Sequence, residues 1–170
     1  MEKLEKIIST YENFPKAGIN FKDVIEIAQH PKNFQKIILE MSKSKLVKES
    51  EAIISIDARG FIFGSAVSLH ASKPMIVARK PGKLPGKLIT KKYNLEYGEN
   101  SLSIQKKAIE KFNSFTIIDD LLATGGTVNC VSELLHSNNK KVVGLIVVVE
   151  LSKLEGRSKF NFPVESSIFI

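Results

Sequence analysis

Apolar residues recur along the chain in two patterns, one typical of helices and one typical of buried strands. In segment 31–48 they lie three and four positions apart, which predicts a helix with one apolar face. Helices are also predicted for 2–12, 61–71 and 126–138. Short runs rich in isoleucine and valine predict four buried strands, at 52–57, 74–78, 115–119 and 141–150. Such runs alternating with helices are typical of a parallel sheet covered on both faces, so we expect an α/β protein.

Two of the predicted strands end on aspartate, and this edge of the sheet is where we expect a ligand. The strands at 52–57 and 115–119 both end on aspartate, and a glycine-containing turn follows each of them. Open parallel sheets bind ligands beyond the carboxyl ends of their strands. We therefore expect Asp57, Asp119 and Asp120 to lie near a binding site, although Asp57 could equally serve as the cap of its own turn.

Length and composition limit the classes of protein to consider. The chain has 170 residues, of which 43% are hydrophobic, and this suits a single domain spanning 1–170. The longest apolar run, VVGLIVVV at 142–149, is too short to cross a membrane. The charged N-terminus lacks the apolar block of a secretory signal, and one cysteine, Cys130, cannot form an intramolecular disulfide. These features favour a cytoplasmic protein with no membrane partner.

The net charge of +7 arises from one segment. Between Ala71 and Leu95 there are seven basic residues and no acidic one, whereas the other eighteen basic residues equal the eighteen acidic ones. A basic segment indicates a polyanionic partner, either a phosphorylated small molecule or nucleic acid. A solvated lysine-rich loop is the simpler alternative. Nucleic acid is the less favoured partner, because few aromatic residues lie among the basic ones.

The segment FTIIDDLLATGGT, residues 115–127, combines groups that suit a sugar phosphate. A helix beginning after ATGGT would direct its first backbone amides and the positive end of its dipole at an anion. Gly125 and Gly126 allow close approach of the backbone, while Thr124 and Thr127 add hydroxyl donors. The two preceding carboxylates can accept hydrogen bonds from vicinal ribose hydroxyls and stabilise positive charge on the sugar. The whole string therefore predicts a site for a ribose phosphate.

The same string resembles the phosphoribosyl pyrophosphate signature of type I phosphoribosyltransferases, and among them the adenine phosphoribosyltransferase family most. Further segments that match this family in order and spacing are NFPKAGINFKD (13–23), DARGFIFG (57–64), RKPGKLPG (79–86), YNLEYG (93–98) and VELSKLEGR (149–157). The resemblance implies the type I phosphoribosyltransferase fold, a central, mostly parallel sheet flanked by helices with a small hood and a mobile lid loop. It implies that adenine and phosphoribosyl pyrophosphate are converted into AMP and pyrophosphate with Mg2+.

The resemblance also implies roles at the sugar-phosphate end of the site. The family's 5′-phosphate loop matches Ala123, Thr124, Gly125, Gly126 and Thr127. Asp119 and Asp120 would hold the ribose hydroxyls and act in catalysis, and Arg59 would offer a fork of donors to pyrophosphate. The family's basic residues that reach pyrophosphate, in part across a homodimer interface, match Arg79, Lys80 and Lys83. Magnesium would be held mainly by the substrate, with no direct protein ligand.

For the base, the resemblance implies recognition by the segment INFK, largely through backbone groups. The implied adenine-binding residues are Asn20, Phe21, Lys22 and Leu121. Glu96 matches a catalytic acidic residue near the purine N7, on a lid predicted for 82–102, and Tyr97 lies beside it at the phosphoribosyl pyrophosphate site. The family often has an apolar residue in place of Asn20 and an arginine in place of Lys22, so the strictness of adenine selectivity stays open.

Two alternatives to this function remain at the level of the sequence. A regulatory protein on the same fold would sense the sugar phosphate and bind nucleic acid, but the chain shows no added helix-turn-helix segment. A phosphoribosyltransferase for hypoxanthine, guanine or xanthine would differ only in the choice of base. The three histidines are scattered without ligand spacing, so we expect no metal site built from them.

Overall fold

A computed structural model of the chain describes residues 4–95 and 98–170. In chain order its strands are β1 (Ser9–Tyr11), β2 (Phe21–Asp23), β3 (Ala52–Ile56), β4 (Met75–Ala78), β5 (Leu88–Leu95), β6 (Gly98–Gln105), β7 (Ser114–Leu122), β8 (Lys141–Glu150) and β9 (Val164–Phe169). Its α-helices are α1 (Pro31–Lys43), α2 (Lys45–Glu49), α3 (Gly60–Ala71), α4 (Lys106–Glu110) and α5 (Gly126–His136). Short 3-10 helices form at Leu4–Lys6, Val24–Gln29, Ser152–Leu154 and Gly156–Lys159.

The central sheet has the strand order β4–β3–β7–β8–β9, and every neighbouring pair in it is parallel. Strand β3 is buried along its whole length, and β8 is buried at every residue after Lys141. Both faces of these strands are covered, which explains why they are continuous apolar runs rather than alternating ones. The predicted α/β fold around a mostly parallel sheet is confirmed.

Helices cover both faces of this sheet. Buried residues of α1, α2 and α3 form one core with β8, while α5 and α4 form the second core with β6. Helix α5 buries its apolar face, namely Val128, Val131, Leu134 and Leu135. Across the two described ranges, no helix combines the length and the hydropathy needed to cross a bilayer.

The carboxyl ends of β3 and β7 lie side by side, because Ser55 of β3 pairs with Ile118 of β7. The turn after β3 therefore brings Asp57 to the same edge of the sheet as Asp119, which lies in the last part of β7, as predicted. The turn after β3 contains a cis peptide bond between Asp57 and Ala58 and leads into α3. Gly60 lets α3 begin close to the end of β7, since a Cβ atom there would lie 2.7 Å from Asp119 Oδ1.

Two predicted helices differ from the structure. The helix predicted for 2–12 is wrong, because Leu4–Lys6 form a 3-10 turn and β1 then pairs antiparallel with β2. This small antiparallel sheet corresponds to the predicted hood. The single helix predicted for 31–48 is divided at Ser44, whose backbone is not helical and whose hydroxyl accepts a hydrogen bond from Leu46 N at 3.0 Å. Ser44 thus ends α1 and caps α2.

Further strands form where the apolar pattern predicts none. Strand β9 adds a fifth strand to the sheet beside β8, although its sequence VESSIF places polar residues among the apolar ones. The predicted lid, 82–102, includes all of β5 and most of the antiparallel hairpin that β5 forms with β6. The polar residues of that hairpin are typical of a loop, and its cross-strand hydrogen bonds are not revealed by the pattern of apolar residues.

Candidate active site

A cavity of about 280 Å3 opens at the carboxyl ends of β3 and β7. Its wall consists of residues 56–59, from the turn after β3, and residues 119–128, from the end of β7 and the start of α5. The acid pair, Arg59 and the glycine-rich loop predicted from the sequence therefore line one cavity. These segments are far apart in the chain, and the parallel pairing of β3 with β7 brings them together.

Both carboxylates of the acid pair are buried. Asp119 is 9% exposed and Asp120 is 4% exposed, and the backbone amide of Asp120 donates to Asp119 Oδ1 at 2.9 Å. Burial raises the pKa of Asp119 well above its ordinary value, and the negative charge of Asp120 raises it further. Burial also raises the pKa of Asp120, although the positive charge of Arg59 opposes that shift. Such a pair favours a ligand that brings hydroxyl donors or positive charge.

Arg59 connects the acid pair to the hood. Its Nε atom lies 2.9 Å from Asp120 Oδ2, its Nη1 atom donates to Lys22 O at 3.3 Å, and its guanidinium lies 4.9 Å from the centroid of the Phe21 ring. The contact with Asp120 lacks hydrogen-bond alignment, so within the described ranges Asp120 Oδ2 is buried without a hydrogen-bond donor. The Arg59 side chain is 31% exposed and can exchange these contacts for an anion that enters the cavity.

The start of α5 presents backbone donors to the cavity. The helix begins at Gly126, and Gly125 before it has a φ of +81°. No side chain in the described part of the chain caps this helix end. Because the first-turn amides have no acceptor within the helix, they are available to an anion, and the helix dipole favours negative charge at the same place. The geometry predicted from ATGGT is therefore present.

The segment after β8 supports this loop from behind. Leu151 N donates to Leu122 O at 2.9 Å, which ties the segment to the end of β7. A Cβ atom on Gly125 would lie 2.9 Å from both Gly156 O and Phe160 Cζ. Position 125 therefore favours glycine for two reasons, its positive φ and this close approach. The path of the loop depends on the residues packed behind it.

Arg79 is held against the turn after β3. Its Nε atom donates to Asp57 Oδ2 at 2.9 Å, and its Nη1 atom donates to Lys83 O at 3.3 Å. Asp57 is thus the ion-pair partner of an arginine, a role that the sequence did not predict. Lys80 and Lys83 have exposed side chains and do not belong to the cavity wall. Within this chain, the structure brings Arg79 to the border of the cavity and leaves the two lysines outside it.

The residues predicted to bind the base lie at different distances from the cavity. Leu121 forms part of its wall. Phe21 and the carbonyl of Lys22 reach its edge through Arg59, whereas the Lys22 ammonium donates to a threonine hydroxyl of β1 at 2.7 Å. Asn20 is exposed in the chain just before β2. The departures from the family at positions 20 and 22 therefore concern side chains that are not part of the cavity wall.

Comparison with known proteins agrees with this geometry. A family model described as the phosphoribosyl transferase domain matches residues 23–167. An adenine phosphoribosyltransferase from Prochlorococcus marinus (strain MIT 9312) is 80% identical over 168 residues, which cover 99% of each chain. The chain belongs to the adenine phosphoribosyltransferase family.

Solved adenine phosphoribosyltransferases share the fold of this chain. The enzyme from Thermoanaerobacter pseudethanolicus is similar with a TM-score of 0.91 and 36% identity, covering 99% of this chain and 100% of that one. The enzyme from Saccharomyces cerevisiae has a TM-score of 0.86 and 34% identity, with 96% of each chain covered. It was solved in complex with adenine and D-2,5-dideoxy-2,5-imino-altritol 1,6-bisphosphate. The predicted type I phosphoribosyltransferase fold is confirmed.

Two residues that the family resemblance places on the lid, Glu96 and Tyr97, lie outside the described residues. The sequence in turn missed two residues close to the phosphate loop. Burial raises the pKa of Tyr93, whereas the Thr127 side chain lowers it, and Arg157 pairs with Glu150 behind the loop. Both belong to segments that resemble the adenine phosphoribosyltransferase family, YNLEYG and VELSKLEGR. The resemblance marks these segments, whereas the contacts depend on the folded chain.

Proposed function

We propose that this chain transfers the phosphoribosyl group of 5-phosphoribosyl 1-pyrophosphate to adenine and so produces AMP and pyrophosphate in purine salvage. The observation that carries the proposal is one cavity shared by a buried acid pair, an arginine and the uncapped start of a helix. A sugar with a phosphate at one end and a pyrophosphate at the other needs these three groups. Membership of the family, and the yeast relative solved with adenine, support adenine as the base.

In this proposal the 5′-phosphate binds at the start of α5. The backbone amides of residues 123–127 donate to its oxygens, and the hydroxyls of Thr124 and Thr127 add two donors. Hydrogen bonds to a charged phosphate are stronger than those between neutral groups, so this loop fixes one end of the substrate. The ribose then extends from the loop towards the acid pair, which lines the same cavity.

The acid pair binds the ribose and stabilises the transition state. Asp119 and Asp120 accept hydrogen bonds from the ribose hydroxyls, and both interactions favour the ionised carboxylates. As the bond from the anomeric carbon to pyrophosphate breaks, positive charge develops on the sugar ring, and the two carboxylates oppose it. Arg59 leaves Asp120 and donates to the departing pyrophosphate, for which its exposed guanidinium has the right donors.

Adenine binds on the other side of the ribose, between the hood and the end of β7. Phe21 stacks on the purine and Leu121 packs against its opposite face, while backbone groups of residues 20–22 read its edge. Glu96 acts as the acid–base group near N7 and Tyr97 supports it from the lid. Closure of the lid excludes water, which would otherwise hydrolyse the activated sugar.

Magnesium accompanies the pyrophosphate of the substrate. Across the described ranges, no group of three histidine, cysteine, aspartate or glutamate side chains is arranged to hold a metal ion. Mg2+ typically keeps several waters and is held by phosphates together with one or two carboxylates. The buried oxygen Asp120 Oδ2, which lacks a hydrogen-bond donor in the described part of the chain, fits a water or hydroxyl of such a complex. The ion supplies positive charge that offsets the negative charge of the leaving group.

The proposal includes a homodimer in the cytoplasm. Arg79, Lys80 and Lys83 approach pyrophosphate, with part of this basic set reaching the active site of the partner subunit. The exposure of Lys80 and Lys83 away from the cavity of their own chain supports this assignment. A reducing compartment suits Cys130, which is buried and free.

Product formation from phosphoribosyl pyrophosphate and Mg2+ with each purine in turn tests the function. Adenine should give AMP, and hypoxanthine, guanine and xanthine should react at least ~10²-fold less efficiently in kcat/KM, because polar edges that do not match are left unpaired. A product with another purine only would contradict the choice of base. Absence of any nucleotide, together with a mobility shift of DNA or RNA, would instead favour the regulatory alternative.

A further inference from the structure

The Arg59 side chain contacts three groups that the proposed function assigns to the substrates. Its Nε atom lies 2.9 Å from Asp120 Oδ2, which belongs to a carboxylate assigned to the ribose. Its Nη1 atom donates at 3.3 Å to Lys22 O, in the segment whose backbone is assigned to the purine edge. Its guanidinium carbon lies 4.9 Å from the centroid of the Phe21 ring, which is assigned to stack on the purine. In the free chain, Arg59 therefore occupies positions that the substrates need.

The face of Phe21 that Arg59 covers is the one on the cavity side of the ring. The guanidinium extends from the Phe21 ring to Asp120, and Asp120 lines the cavity. Leu121, assigned to the opposite face of the purine, lines the same cavity. Phe14 also contacts the Phe21 ring, with centroids 5.3 Å apart and ring planes at 80°. A purine that enters between Leu121 and Phe21 therefore meets the Arg59 guanidinium.

We propose that Arg59 couples the pyrophosphate site to the purine site, because it must leave the Phe21 ring before adenine can stack there. This inference rests on the proposed function and gives Arg59 a second role in it. Pyrophosphate offers the guanidinium paired oxygen acceptors and more negative charge than one carboxylate. When Arg59 binds pyrophosphate, it frees both the Phe21 ring and the Lys22 carbonyl. Pyrophosphate should therefore raise the affinity for adenine, and adenine should raise that for pyrophosphate by the same factor.

The contacts that hold Arg59 in the free chain are weak enough to be exchanged. The side chain is 31% exposed, and its hydrogen bond to Lys22 O is long at 3.3 Å. Adenine binds only those chains in which Arg59 has left the ring, so that fraction sets the apparent affinity. A cation–π contact at a partly exposed site together with one weak hydrogen bond corresponds to a factor of roughly three to ten in affinity.

Calorimetric titration of adenine tests the coupling, first with protein alone and then with saturating magnesium pyrophosphate. Without a ribose no transfer takes place, so the titration measures binding only. We expect the wild type to bind adenine roughly threefold to tenfold more tightly when pyrophosphate is present. Arg59→Ala should bind adenine that tightly without pyrophosphate, because its Phe21 ring is always free. Arg59→Gln, which also removes the guanidinium but keeps a longer side chain, should gain affinity in the same way, and thermal unfolding verifies that both variants are folded.

Arg79→Ala is the matched control. Arg79 is also paired with an aspartate of the cavity wall, through Nε at 2.9 Å from Asp57 Oδ2, and its guanidinium carbon lies 5.6 Å from the centroid of the Phe61 ring. This variant loses the same charge at the border of the cavity but leaves Arg59 over Phe21. It should bind adenine as the wild type does in the absence of pyrophosphate. An equal gain in Arg79→Ala would overturn the inference, because the loss of any positive charge would then be responsible.

Two further results would overturn the inference. One is a wild-type affinity for adenine that pyrophosphate leaves unchanged. The other is an affinity in both Arg59 variants, without pyrophosphate, that equals or falls below that of the wild type. The binding data are independent of turnover, so they separate the inference from the proposed function. Coupling in a wild-type protein that makes no AMP would contradict the reaction and uphold the inference, whereas AMP formation without coupling would do the reverse.

Discussion

Asp119 and Asp120 occupy positions where the fold and the proposed chemistry have opposite requirements. Both carboxylates are buried, and burial raises the pKa of each, so the fold favours the protonated forms. Binding of ribose hydroxyls and stabilisation of a cationic sugar require the ionised forms. Arg59 moderates the conflict in the free protein through its contact with Asp120. The sequence predicted the acid pair from its place at the end of a strand, but the contact with Arg59 depends on how the turn after β3 meets the end of β7.

Asp119→Asn should separate these requirements. We expect turnover to fall on the order of 10²–10³-fold, as for the loss of one preorganised electrostatic contact. The same substitution should raise Tm at pH 7 by about 3 °C, because the charge that the fold disfavours is removed. The Asn Oδ1 atom can still accept the hydrogen bond that the amide of Asp120 donates to Asp119. Steady-state kinetics and thermal unfolding of one preparation measure both effects.

The pH dependence of this stabilisation has a definite sign. The pKa of Asp119 is raised in the folded chain, so this carboxyl ionises more readily in the unfolded chain. The folded state therefore loses stability as pH rises from the unfolded pKa of about 4 to the folded pKa. The Tm advantage of Asp119→Asn should therefore be largest at neutral pH and vanish below about pH 4. Glu49→Gln is a control for the loss of one surface carboxylate, since Glu49 forms an exposed pair with Lys45. An advantage that persists unchanged at low pH would contradict the burial argument.

At the scale of elements, strands buried on both faces were predictable and marginal ones were not. The runs at 52–57 and 141–150 are apolar throughout because helices cover both sides of β3 and β8. Strand β1 has only three residues, and its conformation follows from pairing with β2, so a local helical pattern was misleading there. Strand β9 lies at the edge of the sheet beside β8, where polar residues are tolerated. Local pattern predicts burial well and long-range pairing poorly.

The phosphate loop, residues 123–127, packs closely against the segment that follows β8. Gly125→Ala should therefore lower both the stability and the affinity for phosphoribosyl pyrophosphate, since the new Cβ would lie 2.9 Å from Gly156 O and from Phe160 Cζ. Adenine affinity should change little, because none of the residues proposed to bind adenine is among those that this Cβ would meet. The measurements are thermal unfolding and the KM values for phosphoribosyl pyrophosphate and for adenine.

Gly86→Ala is the matched control for this substitution. Gly86 has the same φ of +81° as Gly125, but a Cβ atom there would meet nothing within 4 Å. The backbone cost, about 1 kcal/mol, is thus common to both variants, and the extra loss in Gly125→Ala measures the close approach. Equal losses of Tm in the two variants would mean that the packing behind the loop is soft.

Glu150 connects the end of β8 to the turn that supports the phosphate loop. Its buried carboxylate accepts hydrogen bonds from Arg157 Nε at 2.7 Å, from Arg157 Nη2 at 2.5 Å and from the Ser166 hydroxyl at 2.5 Å. Arg157 follows Gly156, whose carbonyl lies against Gly125, so this ion pair fixes the turn. Hydrogen bonds from Arg157 hold the pKa of Glu150 below its ordinary value.

Glu150→Gln should lower Tm by about 4–8 °C at pH 7, which corresponds to the loss of on the order of 2 kcal/mol of charged hydrogen bonding. Because the folded pKa of Glu150 is depressed, its contribution is complete above the ordinary value of about 4.3 and is lost as pH falls through the folded value. The difference in Tm between wild type and variant should therefore shrink below about pH 4. At neutral pH this substitution lowers Tm, whereas Asp119→Asn raises it. A difference that grows in acid would refute this assignment.

At the scale of the whole molecule, the candidate site is assembled from segments that are distant in sequence. The hood, the turn after β3, the end of β7 and the segment after β8 meet through contacts such as Arg59 with Lys22 O. The sequence predicted which segments take part, because each carries a compact motif or a resemblance to the family. It did not predict the side-chain partners, since these depend on sheet order and on the angles of the turns. Arg79 in the basic segment is an example, because its hydrogen bond to Asp57 was not predictable from the sequence.

The proposed dimer predicts that the basic segment acts in part at the active site of the partner subunit. Lys80 and Lys83 are exposed in their own chain and lie outside the wall of its cavity, so the proposal assigns them in part to the partner subunit.

The test uses two variants of low activity, one with Lys80→Met and Lys83→Met, and the other with Asp119→Asn. Two affinity tags allow the mixed dimer to be purified after co-expression. If the lysines act across the interface, one of the two sites combines an intact acid pair with intact lysines, and about half of the wild-type activity per dimer returns. If the lysines act within their own subunit, both sites of the mixed dimer are impaired and activity stays near that of the parent variants. Light scattering on the same samples must show a dimer, and a fully active monomer would contradict the assembly itself.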